Sequence, residues 1–290
     1  RGPFWRRGEN LRGEELQIPP RAGIMIPANY TEGWCAMALF RGDIRSQALE
    51  MDTSLSVILP GDRPVRDQPR PYRVLYLYHG IKINSTGWPR WTQLETYCKE
   101  TGLAVVVPEV QRSFYTDMAM GPAYFTYVAD ELPRLCCELF GISSRREDTF
   151  VGGFSMGGYG ALKAALRRPE RFGGCAALSV VCDPVAFARS PQGGAICRRE
   201  IPAIWGPEET VPPEDDLFAL AQQAAALPQE DRPRIYWAIG KRDFLYQENQ
   251  RLRQRFDQVG LGYTYEEWDG VHDWAFWGPA VRKAIRFLLG

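Results

Sequence analysis

The chain has 290 residues, 45% of them apolar, with 35 Lys plus Arg balanced by 35 Asp plus Glu and only two histidines. That length and apolar content suit one α/β domain with a large core. A formal net charge of zero gives no electrostatic ground for binding nucleic acid or an anionic membrane, and no apolar run is long enough to span a bilayer.

Taken in chain order, residues 1–36 are rich in Arg, Gly and Pro, include Pro19-Pro20 and lack periodicity. This N-terminal extension reads as a processed leader, an arm packed on a neighbouring subunit, or a poorly ordered tail. Residues 37–290 carry the domain. Runs at 37–41 and 55–59 predict two antiparallel strands, joined by the alternating Ala48-Leu49-Glu50-Met51. Strand signals then recur at 74–78, 103–107, 149–152, 175–181, 235–239 and 263–268. Helical signals fall at 91–100, 126–140, 156–168, 246–259 and 274–289. Such alternation predicts an α/β fold with a mostly parallel central sheet and helices on both faces. Residues 183–233 interrupt it, with Ile201-Pro202-Ala203-Ile204-Trp205-Gly206-Pro207 and a helix-like stretch at 217–226, and read as a small cap-like insertion that roofs the carboxyl edge of the sheet.

Gly153-Phe154-Ser155-Met156-Gly157 is a G-x-S-x-G run between a strand signal and a helix signal. A serine on a sharp strand-to-helix turn sits in a strained conformation, and side chains two residues either side of it would clash, so Gly153 and Gly157 are the informative positions. The turn exposes the Ser155 hydroxyl and puts the Met156 N–H at a helix N-terminus, where it can donate to a developing oxyanion. A serine nucleophile needs a base. His272 lies in a loop between the last strand and the last helix, and the order serine first, histidine last is that of an α/β-hydrolase triad. His79-Gly80 ends the 74–78 strand, where this fold carries its second oxyanion segment; His79 is assigned to support that loop, with the Ile81 N–H as second donor. The orienting carboxylate should project from a strand end between Ser155 and His272. Asp243 fits best and Asp183 is the rival, while Asp269 and Asp273 are too near His272 in the chain and read as solvated or capping. Trp88, Trp91, Phe114, Tyr115, Tyr124 and Trp205 fall in loops or element ends on the predicted active-site side and are candidates to hold substrate; Trp268, Trp274 and Trp277 read as structural.

Gly152 to Ala161 followed by Arg168-Pro169-Glu170-Arg171-Phe172, together with Tyr78-His79-Gly80, Arg112-Ser113-Phe114-Tyr115-Thr116-Asp117 and Gly270-Val271-His272-Asp273-Trp274, resemble the esterase D family of α/β-hydrolases. That family includes S-formylglutathione hydrolases, tributyrin esterases, feruloyl esterases and mycolyltransferases, and the likeness is nearest to the tributyrin esterase type. The resemblance implies a serine carboxylesterase acting on short-chain acyl or phenolic esters, with a small-molecule substrate, and it allows a homo-oligomer. An acyltransferase or an S-formylglutathione-type thioesterase would use the same three residues, whereas a non-catalytic module need not keep them. The seven cysteines are scattered without metal spacing, so neither metal nor cofactor is expected. Their odd number without a secretory signal favours a cytoplasmic protein, with a secreted form as the alternative.

Overall fold

In a computed structural model, residues 37–61 and 70–290 are described; the N-terminal extension expected at 1–36 lies outside the described residues. Among the described residues, eight strands form one sheet in the order β1-β2-β4-β3-β5-β6-β7-β8. β1 (Ala38–Ser46) and β2 (Met51–Leu59) form an antiparallel hairpin, and β2 joins β4 (Ala104–Pro108) antiparallel. From β4 onward the neighbours β3 (Val74–Tyr78), β5 (Thr149–Phe154), β6 (Gly174–Leu178), β7 (Arg234–Gly240) and β8 (Thr264–Trp268) are all parallel. This is the α/β-hydrolase architecture that the strand–helix alternation predicted.

The central strands are apolar without a polar face because helices cover both sides. In β3, Val74, Tyr76 and Tyr78 point into one core layer and Leu75 and Leu77 into the other, as the two-residue period of a strand dictates. The second layer is closed by α1 (Gly87–Trp91), α2 (Leu94–Thr101) and α11 (Trp274–Leu289). The first is closed by α3 (Tyr124–Thr126), α4 (Leu132–Phe140), α5 (Met156–Arg167), α9 (Leu217–Ala225) and α10 (Tyr246–Val259).

Several element limits differ from expectation for local reasons. The helix expected at 126–140 contains a wide turn at Tyr127–Glu131; Pro133 has no N–H to continue the regular ladder, so the preceding turn opens. β6 stops at Leu178 because Ser179 has φ 46°. Between β6 and β7 the chain forms α6 (Pro184–Arg189), α7 (Pro191–Cys197), α8 (Ile201–Trp205) and α9. The first three lie toward the carboxyl edge of the sheet, where Phe187 and Ile196 face the cavity below. α9, expected within the cap, packs instead on α5 and α10 as an ordinary flanking helix.

Candidate active site

β5 carries Ser155 to the carboxyl edge of the sheet, and the residue takes φ 58°, ψ −120°, a region that side chains avoid and that persists only where surrounding structure enforces it. The enforcement is visible: the Ser155 N–H donates to Leu178 O at 3.0 Å, and the Val181 N–H donates to Ser155 O at 3.3 Å. A Cβ on Gly153 would lie 2.5 Å from Gly157 O, and one on Gly157 would lie 2.5 Å from Tyr78 O. The turn therefore excludes side chains at both glycines. α5 begins at Met156, whose N–H has no carbonyl one turn earlier to accept it.

The structure brings His272 and Asp243 to this serine. Ser155 Oγ lies 3.0 Å from His272 Nε2, and His272 Nδ1 lies 2.8 Å from Asp243 Oδ2. Asp243 follows β7, is buried, and uses its other oxygen to accept the Leu245 N–H at 2.9 Å. A buried carboxylate at Nδ1 holds the proton on that nitrogen and leaves Nε2 free to accept from the serine. The Trp277 ring stands edge-on to the imidazole, 4.8 Å between centroids. The other aspartates have different partners: Asp183 caps α6 through the Ala186 N–H, Asp273 caps α11 through the Phe276 N–H, and Asp269 pairs with the Arg242 guanidinium.

His79 is wholly buried beside the elbow. Its Nε2 accepts the Val110 N–H at 3.2 Å, so the ring proton is on Nδ1, which donates to Gly80 O at 2.9 Å. A trans peptide directs its C=O and N–H in opposite senses. Holding Gly80 O against the buried ring therefore turns the Ile81 N–H the other way, and Ile81 lines the cavity with Ser155 and Met156. Tyr115 fixes the same loop, donating its hydroxyl to His79 O at 2.9 Å.

The cavity at the serine has a volume of about 330 Å³. Of the aromatics expected to hold substrate, only Phe114 is on its wall. Trp88 is buried beneath it, with Nε1 donating to Tyr78 O. Tyr115 stacks on Tyr78, Tyr124 is core, and Trp205 donates to Asp215 Oδ2, so these four are corrected to structural positions; Trp91 lies on the surface away from the cavity. Conversely, Trp274 and Trp277, read as structural, line the cavity with Phe154, Phe187 and Phe244. A signal for them was present: two tryptophans three residues apart at the start of a helix share a face, and this helix follows the His272 loop directly.

Two further groups escaped the sequence reading. Asn249 on α10 is wholly buried and spends its whole amide: Oδ1 accepts from Val180 N and Trp237 Nε1, and Nδ2 donates to Val180 O and Leu245 O. It thereby ties the loop under Ser155 to the loop carrying Asp243. Asp215 gathers Lys163 Nζ, Arg167 Nη1 and Trp205 Nε1 at 3.0–3.2 Å, anchoring the segment after α8 to α5. Burial pushes Lys163 down to about 8, against the opposing pull of Asp215.

Glu248 lies beside this frame. Burial pushes its carboxyl up to about 7, with Asp183 and Asp243 adding to the effect against the Cys182 N–H and Arg251. Because the folded value is raised, the folded state holds a proton that the unfolded chain has lost. The stabilisation is complete below the unfolded value and disappears as pH rises through 7. Glu248→Gln is therefore expected to match wild type in Tm near pH 4.5 and to exceed it by roughly 3 °C at pH 8; equal Tm values across that range in a thermal melt series would contradict this account.

A strained serine on a strand-to-helix turn, bonded to a His–Asp pair at the carboxyl edge of this sheet, defines a serine hydrolase of the α/β-hydrolase class. Comparisons with known proteins make the assignment narrower. The chain belongs to the family described as putative esterase, which it matches over residues 46–288. It is 31% identical over 264 residues to an acetyl esterase of Caldicellulosiruptor saccharolyticus, covering 87% of this chain and 98% of that one. Among solved structures it is similar to FphF, a fluorophosphonate-binding serine hydrolase of Staphylococcus aureus (TM-score 0.79, 32% identity, 88% of this chain and 99% of that one). It is also similar to the S-formylglutathione hydrolase FrmB of Staphylococcus aureus (TM-score 0.75, 31% identity, with the same coverage of 88% and 99%). The chain is thus a serine carboxylic ester hydrolase, and no helix among the described residues is long and apolar enough to cross a membrane.

Proposed function

We propose that this esterase cleaves short-chain acyl and phenolic esters through an acyl-enzyme on Ser155, with His272 as general base and acid and Asp243 as its orienting carboxylate. The observation that carries the reading is the unbroken hydrogen-bonded chain Asp243–His272–Ser155 opening onto an aromatic-walled cavity of about 330 Å³. His272 Nε2 takes the serine proton as Oγ attacks the ester carbonyl, and the imidazolium that forms is stabilised by Asp243. The N–H groups of Met156 and Ile81 receive the tetrahedral oxyanion. Collapse expels the alcohol, protonated by His272, and water activated by the same histidine then frees the acid.

The acetyl esterase relative supports the short acyl group, and the rings of Phe114, Phe154, Trp274 and Trp277 offer flat apolar faces to a phenolic one. The likeness to an S-formylglutathione hydrolase supports a second reading, a thioesterase with the same three residues. Rates on p-nitrophenyl acetate, butyrate and octanoate, methyl ferulate and S-formylglutathione, each beside Ser155→Ala, test both. Fast Ser155-dependent cleavage of the acetate and butyrate supports the esterase, and preference for the thioester by orders of magnitude would replace it with the second reading. The wall formed by α6 sets the length limit in this account. Phe187→Ala is expected to raise the octanoate-to-butyrate ratio of kcat/KM about 10-fold, and an unchanged ratio would remove Phe187 from the acyl-binding wall. A cytoplasmic location is part of the proposal, supported by buried, unpaired Cys98, Cys136, Cys175, Cys182 and Cys197; fractionation of the producing cells tests it.

A further inference from the structure

We infer that Arg112 is a positioning residue that couples the helical segment over the site to the oxyanion donor at Ile81; the inference rests on the proposed role of the Ile81 N–H. The guanidinium spans three places. Nη1 donates to Ile81 O at 3.3 Å, Nη2 donates to Ile196 O, and Nε is paired with Glu200 Oε1. Ile81 and Ile196 both face the cavity, one from the loop after β3 and the other from α7. The side chain of Arg112 therefore bridges floor and roof of the site through backbone groups of two lining residues.

The consequence follows from peptide geometry. The direction of the Ile81 N–H depends on the peptide before it, and the conformation of Ile81 is fixed only when the peptide after it is held as well. His79 holds the first, through Gly80 O. Arg112 holds the second, through Ile81 O. The His79 contact is buried in the domain core, whereas Arg112 is bound equally to α7 and to Glu200, the residue preceding α8. When the roof is seated, both peptides flanking Ile81 are fixed and its N–H is aimed. Arg112 itself stands on a braced loop. Glu109 accepts the N–H groups of Gln111 and Ser85, and Gln111, Phe114 and Tyr115 all have positive φ. The second carboxylate oxygen of Glu200 is buried with no hydrogen-bond partner, so the ion pair to Arg112 is the bond that keeps this carboxylate in place.

Kinetics with a transition-state probe separate this role from a merely structural one. A trifluoromethyl ketone with a butyl chain forms a hemiketal with the serine, and its Ki reports the oxyanion donors. For Arg112→Ala, kcat on p-nitrophenyl butyrate is expected to fall roughly 10- to 100-fold, with KM changed less than about threefold. Ki should rise by the same factor as kcat/KM falls, and guanidinium ion in the assay should restore part of the loss. Arg112→Lys should remain impaired, because one ammonium cannot reach three acceptors in the plane of a fork, and Glu200→Gln should fall between Arg112→Ala and wild type. A change in Tm or KM alone, with kcat and Ki untouched, would overturn the coupling. If the wild-type enzyme does not bind the ketone, or Ser155→Ala retains turnover, the fault lies in the oxyanion reading beneath it.

Discussion

Ser155→Ala and His272→Ala are each expected to lower kcat on p-nitrophenyl butyrate by about 10⁴- to 10⁶-fold while leaving the fold intact. The loss is large because both residues serve one step. Without Oγ no acyl-enzyme forms, and without Nε2 the hydroxyl keeps its proton. For the same reason the double substitution is expected to cost no more than either single one. Asp243→Asn should cost about 10⁴-fold: an amide that donates to Nδ1 forces the proton onto Nε2, which then faces Ser155 as a donor. The fold should survive Ser155→Ala because the hydroxyl's bond is to His272 and the backbone bonds to Leu178 and Val181 need no side chain. Alanine tolerates φ 58° no better and no worse than serine, so Tm should move little. Covalent labelling by a fluorophosphonate, followed as a mass shift, is expected in wild type and absent in Ser155→Ala. Turnover within tenfold of wild type in either single variant would sink the assignment.

The mostly parallel sheet was legible because its central strands carry contiguous apolar runs and several of its helices a helical period, and because the elbow glycines mark one strand-to-helix turn in the chain, whereas the order of the strands in the sheet came only from the structure. The same rule places Asp243 and His272, since each follows a strand and precedes a helix, and parallel strands end on one edge. What the sequence hid was the direction of side chains within that edge. Trp88 and Trp274 look alike as tryptophans beside loops, yet their rings pack edge-to-face with centroids 5.3 Å apart, and only the second reaches the cavity. Asn249 sits in the polar run Tyr246-Gln247-Glu248-Asn249-Gln250-Arg251, which reads as a solvated helix face; its burial depends on two loops that arrive from β6 and β7 and leave no local trace. Arg112 was visible in a motif, but the carbonyls it joins come from Ile81 and Ile196, far apart in sequence.

Gly157→Ala carries the second large expectation. Its Cβ would lie 2.5 Å from Tyr78 O and 2.7 Å from His79 O, both backbone atoms that no rotamer change can move. Overpacking of this kind costs about 1–3 kcal/mol, but the greater effect should be on rate. Relief requires either α5 or the β3 terminus to shift. The first displaces the Met156 N–H and the second displaces the peptide that aims the Ile81 N–H, so one oxyanion donor is lost in either case. That loss is expected to lower kcat roughly 100- to 1000-fold, with the Ser155–His272 pair still formed and fluorophosphonate labelling slowed rather than abolished. Gly102→Ala is the control. Gly102 caps α2 at φ 67° with open space around its Cβ, so alanine there should cost about 1 kcal/mol of stability and leave kcat unchanged. If Gly157→Ala lowers Tm like Gly102→Ala and keeps full turnover, the close approach of α5 to β3 does not set the oxyanion donors, and their geometry must be held by the loop contacts of His79, Tyr115 and Arg112 alone.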